Sequence, residues 1–145
     1  ECTLDCVLGI YKIDNIDVVY DLGESLDPIV DRGQMEGGLL QGVGYATLED
    51  IVWDENGNLL TDSFSTYKIP DLLSSPTMSV DFIASKSNPH GPFSAKAIGE
   101  PPLLLGLGAY FSITDAIRAH TDNSAIDYQL PITPERVLLA LYPDF

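Results

Sequence analysis

One carboxylate in an unusual setting is the first group in this sequence that could do chemistry. Glu100 stands between Gly99 and the pair Pro101-Pro102, which opens a long apolar run. Proline suits the first turn of a helix and keeps the residue before it out of the helical region, so we expect Glu100 at a helix mouth. Ser, Thr, Asp or Asn would be the usual cap there. Glu100 is therefore a candidate functional residue, and a solvated glutamate at a helix N-terminus is the structural alternative.

The remaining reactive side chains form no recognisable site. His90 and His120 have no second ligand at metal spacing, so we predict no metal site within the chain. Cys2 and Cys6, four apart on a predicted strand, would lie ~13 Å from each other, beyond disulfide reach. They are expected to be buried thiols of a cytoplasmic, reducing compartment. An iron–sulfur cluster would usually need four thiolates, which this chain lacks.

The charge balance excludes two classes of partner. The 145 residues carry 22 acidic and 7 basic side chains, a formal net charge of −15. Such a surface repels nucleic-acid phosphates and anionic membranes. No apolar run approaches the ~20 residues that span a bilayer, and the first residues show no signal-peptide pattern.

The first half of the chain predicts a hairpin followed by a glycine-rich helix. Thr3 to Leu8 and Ile10 to Tyr20 are expected to pair, with Leu8-Gly9 as the turn. Asp27-Pro28 is a strong helix start, and the helix should run to about Glu49. It contains five glycines, each costing about 1 kcal/mol relative to alanine. Such a helix is expected only where a sheet or a cofactor packs against its bare backbone.

The second half alternates strands and helices with short connections. A second hairpin is predicted over 51–63, a strand over 77–84 and a loop over 85–94. A helix should follow from Pro101 to about Ala119. Thr133-Pro134 should start a last short helix ending near Leu141. The fold class is therefore α+β, with mixed sheet hairpins packed on a glycine-rich helix and a C-terminal helix, in a single domain over 1–145.

Three stretches occur in the order typical of one enzyme family. The first, 31–38 continued by 41–44, reads DRGQMEGG and QGVG; the second, 59–61 with 66–70, reads LLT and TYKIP; the third, 94–102, reads SAKAIGEPP. Together they resemble the C-terminal end of the molybdopterin-binding region of the xanthine oxidase family of molybdenum hydroxylases, closest to the xanthine dehydrogenase type. Asp27-Pro28, where Asn-Pro is usual, and Ile98, where Val is usual, depart from the family pattern.

The resemblance implies roles for five residues. Glu100 would be the active-site base that removes a proton from the oxygen nucleophile. Gln34, Lys96, Ile98 and Gly99 resemble positions that contact the molybdopterin cofactor. An amide such as that of Gln34 both donates and accepts hydrogen bonds, which suits a ligand rich in heteroatoms.

The resemblance also implies that the chain works as part of a larger enzyme. Molybdenum-molybdopterin would be held together with other molybdopterin-binding segments, and [2Fe–2S] clusters and FAD would lie on further domains or subunits. The complete enzyme would hydroxylate a small-molecule substrate, a purine-like heterocycle, with water as the oxygen source. The surface of this chain that contacts the other domains would expose apolar side chains when the chain is alone.

Three other functions remain open from the sequence. The chain could belong to an aldehyde oxidase-type member of the same family, because these enzymes share much of the three motifs. It could also be a non-catalytic α+β interaction domain that keeps the scaffold. A hydrolase using Glu100 with His90 is disfavoured, because no serine lies in a GxSxG elbow.

Overall fold

The computed structural model describes residues 1–83, 88–121, 126 and 128–144. Within these residues the chain forms two small sheets and four α-helices, an arrangement that confirms the predicted α+β class. The predicted strand end at Ala84 and the first three residues of the predicted loop, 85–87, lie outside the described residues. No helix in the described ranges is both long and apolar enough to cross a membrane.

The N-terminal hairpin is shorter than predicted. Strands β1 (Cys2–Asp5) and β2 (Ile10–Ile13) pair antiparallel, with Cys2 opposite Ile13. The turn is longer than Leu8-Gly9, because the Asp5 carboxylate accepts backbone N–H groups of Val7 and Leu8 at 2.9 and 3.0 Å. Gly9 closes this turn at a φ of +67°, where a side chain would be strained.

The predicted long second strand, Ile10 to Tyr20, is wrong as a single element. It breaks at Asp14, and β3 (Asn15–Tyr20) leaves the hairpin to pair in parallel with β4 (Thr77–Phe82). The local pattern is extended on both sides of the break, so only the distant partner strand reveals that two sheets are involved.

Helix α1 (Pro28–Thr47) begins as predicted and ends two residues early. The Asp27 carboxylate accepts the backbone N–H groups of Ile29 and Val30 at 3.0 and 3.3 Å. This side-chain cap satisfies donors that a helix N-terminus leaves without intrahelical partners.

Three of the five glycines of α1 pack against a helix or a proline, rather than against a sheet. A Cβ on Gly42 would lie 2.1 Å from the Leu103 carbonyl oxygen, and one on Gly44 would lie 2.7 Å from Pro70. Gly38 meets Pro102 in the same way, at 2.8 Å. The expected close packing is therefore present, and the three motif stretches meet along α1.

The long helix predicted from Pro101 is interrupted. It consists of α2 (Pro102–Gly106) and α3 (Gly108–His120), separated at Leu107. Helix α4 (Pro134–Leu141) starts as predicted, with Thr133 Oγ1 accepting the Arg136 N–H at 3.4 Å.

The predicted second hairpin is reduced to one bridge. Trp53 and Leu59 pair antiparallel, and neither flank forms a strand. The Asp54 carboxylate accepts hydrogen bonds from the Asn58 side-chain amide and from the backbone N–H groups of Asn58 and Asn56, all at 2.8 Å, and these bonds lower the pKa of Asp54. The turn prediction is confirmed, whereas the strands on either side are not.

Two buried clusters form the core. The larger one joins α3 and α4 to the first hairpin and the end of α1 and includes Ile13, Val43, Ile113, Ile117 and Val137. Cys2 and Cys6 are unpaired thiols packed against its edge, half-buried rather than fully buried. The smaller cluster, Met35, Leu39 and Val80, lies between α1 and the parallel sheet.

Candidate functional site

The segment that carries Glu100 is held along the end of β3. The Ser94 carbonyl accepts the Glu24 N–H at 3.2 Å, and Lys96 N donates to the Leu22 carbonyl at 2.7 Å. Between these two bonds Gly23 faces Ala95 in an antiparallel bridge. A Cβ on Gly23 would lie 2.6 Å from the Ser94 oxygen, so this approach requires glycine.

The turn that leads into this segment has strained backbone. Phe93 and Ser94 adopt φ values of +52° and +62°, in the left-handed region that non-glycine residues rarely occupy. Strain of this kind persists where surrounding contacts fix it, and it concentrates near functional sites. The sequence gives no signal for it, since neither residue is Gly, Asn or Asp.

Two side chains from the end of β3 fasten the segment further. Tyr20 donates its hydroxyl to the Ala97 carbonyl at 2.7 Å, and Asp21 forms an ion pair with Lys96 at 2.5 Å. Sequence reasoning missed both, because each looks like an ordinary strand-end residue. Only the fold brings them next to residues more than seventy positions away.

The structure brings Gln34 and Gly99 together. Gln34 Nε2, on the exposed side of α1, donates to the Gly99 carbonyl at 3.3 Å across 65 residues of sequence. Both residues are exposed, and the side-chain oxygen of Gln34, Oε1, is left as an acceptor at the surface.

Glu100 follows directly, at the entrance of α2 as predicted. Its side chain is exposed, and its carbonyl accepts the Leu103 N–H at 3.0 Å in the first turn of α2. The Glu100 peptide is therefore fixed, and its side chain is accessible to solvent.

Lys96 and Ile98 are engaged within the chain. The Lys96 ammonium is paired with Asp21, and the half-buried Ile98 packs against the smaller core cluster. Neither side chain is directed freely towards the surface that carries Gln34 and Glu100.

Packing inside this chain does not require glycine at Gly33 and Gly37, which neighbour Gln34 on α1, or at Gly99, which precedes Glu100. A Cβ on Gly33, Gly37 or Gly99 would meet nothing within 4 Å, and none of the three has a positive φ. A groove of about 470 Å³ runs past Gly33 and Gly37, and neither Gln34 nor Glu100 lines it. Bare backbone beside a groove lets a ligand approach closely. His90 is exposed in its loop, and the described residues contain no group of three potential metal ligands.

Comparison with known proteins identifies the family. The family model described as molybdopterin cofactor-binding domain matches residues 1–76. The chain belongs to this family. It is 40% identical over 152 aligned residues to the xanthine dehydrogenase/oxidase of Rattus norvegicus, an alignment that covers the whole chain and 11% of that relative.

Solved structures of molybdenum enzymes contain the same fold as this family member. Quinoline 2-oxidoreductase from Pseudomonas putida 86 superposes with a TM-score of 0.86 at 26% identity, over 95% of this chain and 17% of that one. Aldehyde oxidoreductase from Desulfovibrio gigas superposes with a TM-score of 0.78 at 30% identity, over 97% and 14%. The chain thus spans about a tenth of the length of the curated relatives it matches.

Proposed function

We propose that this chain is the part of a xanthine dehydrogenase-type molybdenum hydroxylase that supplies the catalytic base. The observation that carries the proposal is the contact of Gln34 with Gly99, which joins the glycine-rich helix to the segment bearing Glu100. The complete enzyme would hydroxylate a purine-like heterocycle with water as the oxygen source.

Glu100 is the proposed general base. Its carboxylate is exposed in this chain while its peptide is fixed by the bond from Leu103, a combination that suits proton transfer to and from a bound molecule. The molybdenum cofactor would supply the oxidising power and the oxygen-transfer chemistry. The Glu100 carboxylate would accept a proton, and the fixed Glu100 peptide would keep that carboxylate in position.

Gln34 and Gly99 are proposed to hold the cofactor. The Gln34 amide is oriented by its bond to Gly99 and keeps an acceptor oxygen at the surface, which fits a ligand rich in donors. The open faces of Gly33, Gly37 and Gly99 provide room for it. For Lys96 and Ile98 we propose that they form the wall behind this site, since their side chains bond and pack inside the chain.

The partners of this chain are proposed to be the other segments and electron-transfer domains of such an enzyme. Three large apolar side chains stand in solvent, with Phe64, Leu72 and Leu73 exposed to 85%, 91% and 91%. Apolar exposure of this extent is typical of interaction surfaces. We propose that electrons leave through [2Fe–2S] clusters and a flavin on those partners, and that the assembly is cytoplasmic.

An aldehyde-oxidising enzyme is the second candidate. The observation that favours it is the 30% identity to the Desulfovibrio gigas aldehyde oxidoreductase over 97% of the chain. Both candidates use the same base and cofactor pocket, and a substrate panel of xanthine and simple aldehydes separates them.

The test is a Glu100→Gln substitution in the complete enzyme, with Glu55→Gln in an exposed turn as the matched control. General-base catalysis contributes about 10²- to 10⁴-fold, so turnover should fall by that factor while molybdenum content is retained. The control should keep both. Normal turnover in Glu100→Gln would refute the assignment.

A further inference from the structure

Within the described residues, β3 has no paired strand on the edge that lies away from β4. Thr77 N donates to the Asp14 carbonyl at 3.1 Å and Ile83 N to the Tyr20 carbonyl at 2.9 Å, which fixes the ladder between β3 and β4. The even-numbered residues of β3 therefore bond to β4. The backbone groups of Asn15, Asp17 and Val19 point to the opposite edge.

A groove of about 480 Å³ follows that edge. Its near wall is the backbone of β3 from Asn15 to Val19, and its far wall is formed by Leu105, Gly108 and Ala109. A Cβ on Gly108 would meet nothing within 4 Å, and its φ is not positive, so packing within this chain does not require glycine there. Its bare backbone widens the groove.

Backbone hydrogen bonds already join Glu1 to the start of this edge. The register of β1 on β2 places Glu1 opposite Asp14, whose N–H donates to the Glu1 carbonyl at 3.0 Å. The Glu1 amino group donates to the Asn15 carbonyl, also at 3.0 Å. The Glu1 nitrogen thus contacts Asn15, the first residue of β3, and a strand that continued the register of β1 would bring further backbone groups opposite Asp17 and Val19.

We propose that an extended strand from the remainder of the enzyme fills this groove and pairs antiparallel with β3. The proposal rests on the proposed function, because the strand belongs to a protein of the relatives' length, of which this chain spans 11%. Two-stranded sheets are marginal alone, and parallel strands are normally buried, yet Val19 is 67% exposed. Strand addition satisfies the open backbone groups of the edge.

The strand should carry small or apolar residues at alternate positions. These side chains would cover the partly exposed Leu105, while residues on the other face stay in solvent. A second copy of this chain, paired edge to edge, is the competing occupant.

Amide hydrogen exchange at single-residue resolution tests the proposal, in the chain alone and in the enzyme recovered from its source. The Asp17 and Val19 amides should exchange at least about a hundredfold more slowly in the enzyme. The Val18 amide, which faces β4, is the internal control and should be slow in both samples. Molybdenum is measured in the same enzyme sample.

The outcomes are distinguishable. If the enzyme contains molybdenum but its Asp17 and Val19 amides are not protected, the added strand is refuted and the proposed function stands. Absence of molybdenum and of larger partners overturns the proposed function itself. Protection that appears in the chain alone and grows with its concentration overturns the proposal in favour of a second copy.

A pair of variants gives an independent readout. Val19→Pro removes an N–H that points away from β4, so the chain alone should keep its fold. In the enzyme the missing donor and the proline ring should lower the yield of assembled protein by at least about tenfold relative to Val19→Thr. Equal yields of the two variants would count against the added strand.

Discussion

The crossing of α1 and α2 depends on glycine at one position, and Gly42→Ala tests this directly. A Cβ at residue 42 would lie 2.1 Å from the Leu103 oxygen and 2.9 Å from Gly106 Cα. Both atoms belong to backbone, so no side-chain rotation relieves the overlap. Ordinary contact begins at 3.4 Å, so α2 must move by about 1.3 Å.

The expected loss follows from two opposing terms. Overpacking of a well-packed core costs about 1–3 kcal/mol, and a clash between backbones belongs at the upper end. Alanine in a helix interior gains about 1 kcal/mol over glycine. The free energy of unfolding should therefore fall by about 2 kcal/mol, which lowers the Tm of a chain of this length by about 4–8 °C.

Gly37→Ala is the matched control, because it lies on the same helix and its Cβ would meet nothing within 4 Å. Only the propensity gain applies, so its Tm should rise by about 2–4 °C. Thermal unfolding followed by circular dichroism measures both variants. A Gly42→Ala protein as stable as Gly37→Ala would refute the packing of α1 on α2.

Three further perturbations probe separate parts of the fold. The Tyr11 hydroxyl donates to the Ile132 carbonyl at 2.6 Å, and burial raises the pKa of Tyr11. The buried neutral phenol contributes its full stabilisation below about pH 10, the pKa of tyrosine in the unfolded chain. This stabilisation is lost as pH rises towards the pKa of Tyr11 in the folded chain. Above that pH, the free energy of unfolding of Tyr11→Phe should therefore fall less steeply with pH than that of the wild-type chain. The same slope in both proteins would contradict the burial of Tyr11. Asp27→Ala removes the side-chain cap of α1 and should cost about 1 kcal/mol in urea denaturation, whereas Asp27→Ser should restore most of it. Lys96→Met breaks an ion pair that is more than a third exposed, so it should cost less than about 1 kcal/mol, and salt should weaken the wild-type pair; a larger, salt-independent loss would point to packing instead.

Local signals predicted the helix starts well. Asp27 before Pro28 and Thr133 before Pro134 each place an acceptor side chain just before a proline, and both helices begin there. These elements need no distant partner to be specified, because the cap and the fixed φ of proline act within one turn.

Features set by distant contacts could not be read from the sequence. The helix after Pro101 breaks at Leu107, beside Gly106, whose backbone lies close to Gly42 of α1. The run from Ile10 divides because β3 takes β4 as its partner, 62 residues away in register. Such choices follow from tertiary packing, which overrides a local pattern that is extended or helical throughout.

The candidate site was predicted in part. Motif resemblance selected Gln34, Gly99 and Glu100, and the fold brings the first two into contact. The supports of the segment, Tyr20 and the left-handed Phe93, have no motif and were found only from the structure.

We propose above that this chain works inside a molybdenum hydroxylase. The most direct test of this proposal is the molybdenum content of the complex recovered from the source organism through a tag on this chain. We expect stoichiometric molybdenum together with larger partners. A chain recovered alone and without the metal would contradict it and would favour a non-catalytic interaction domain.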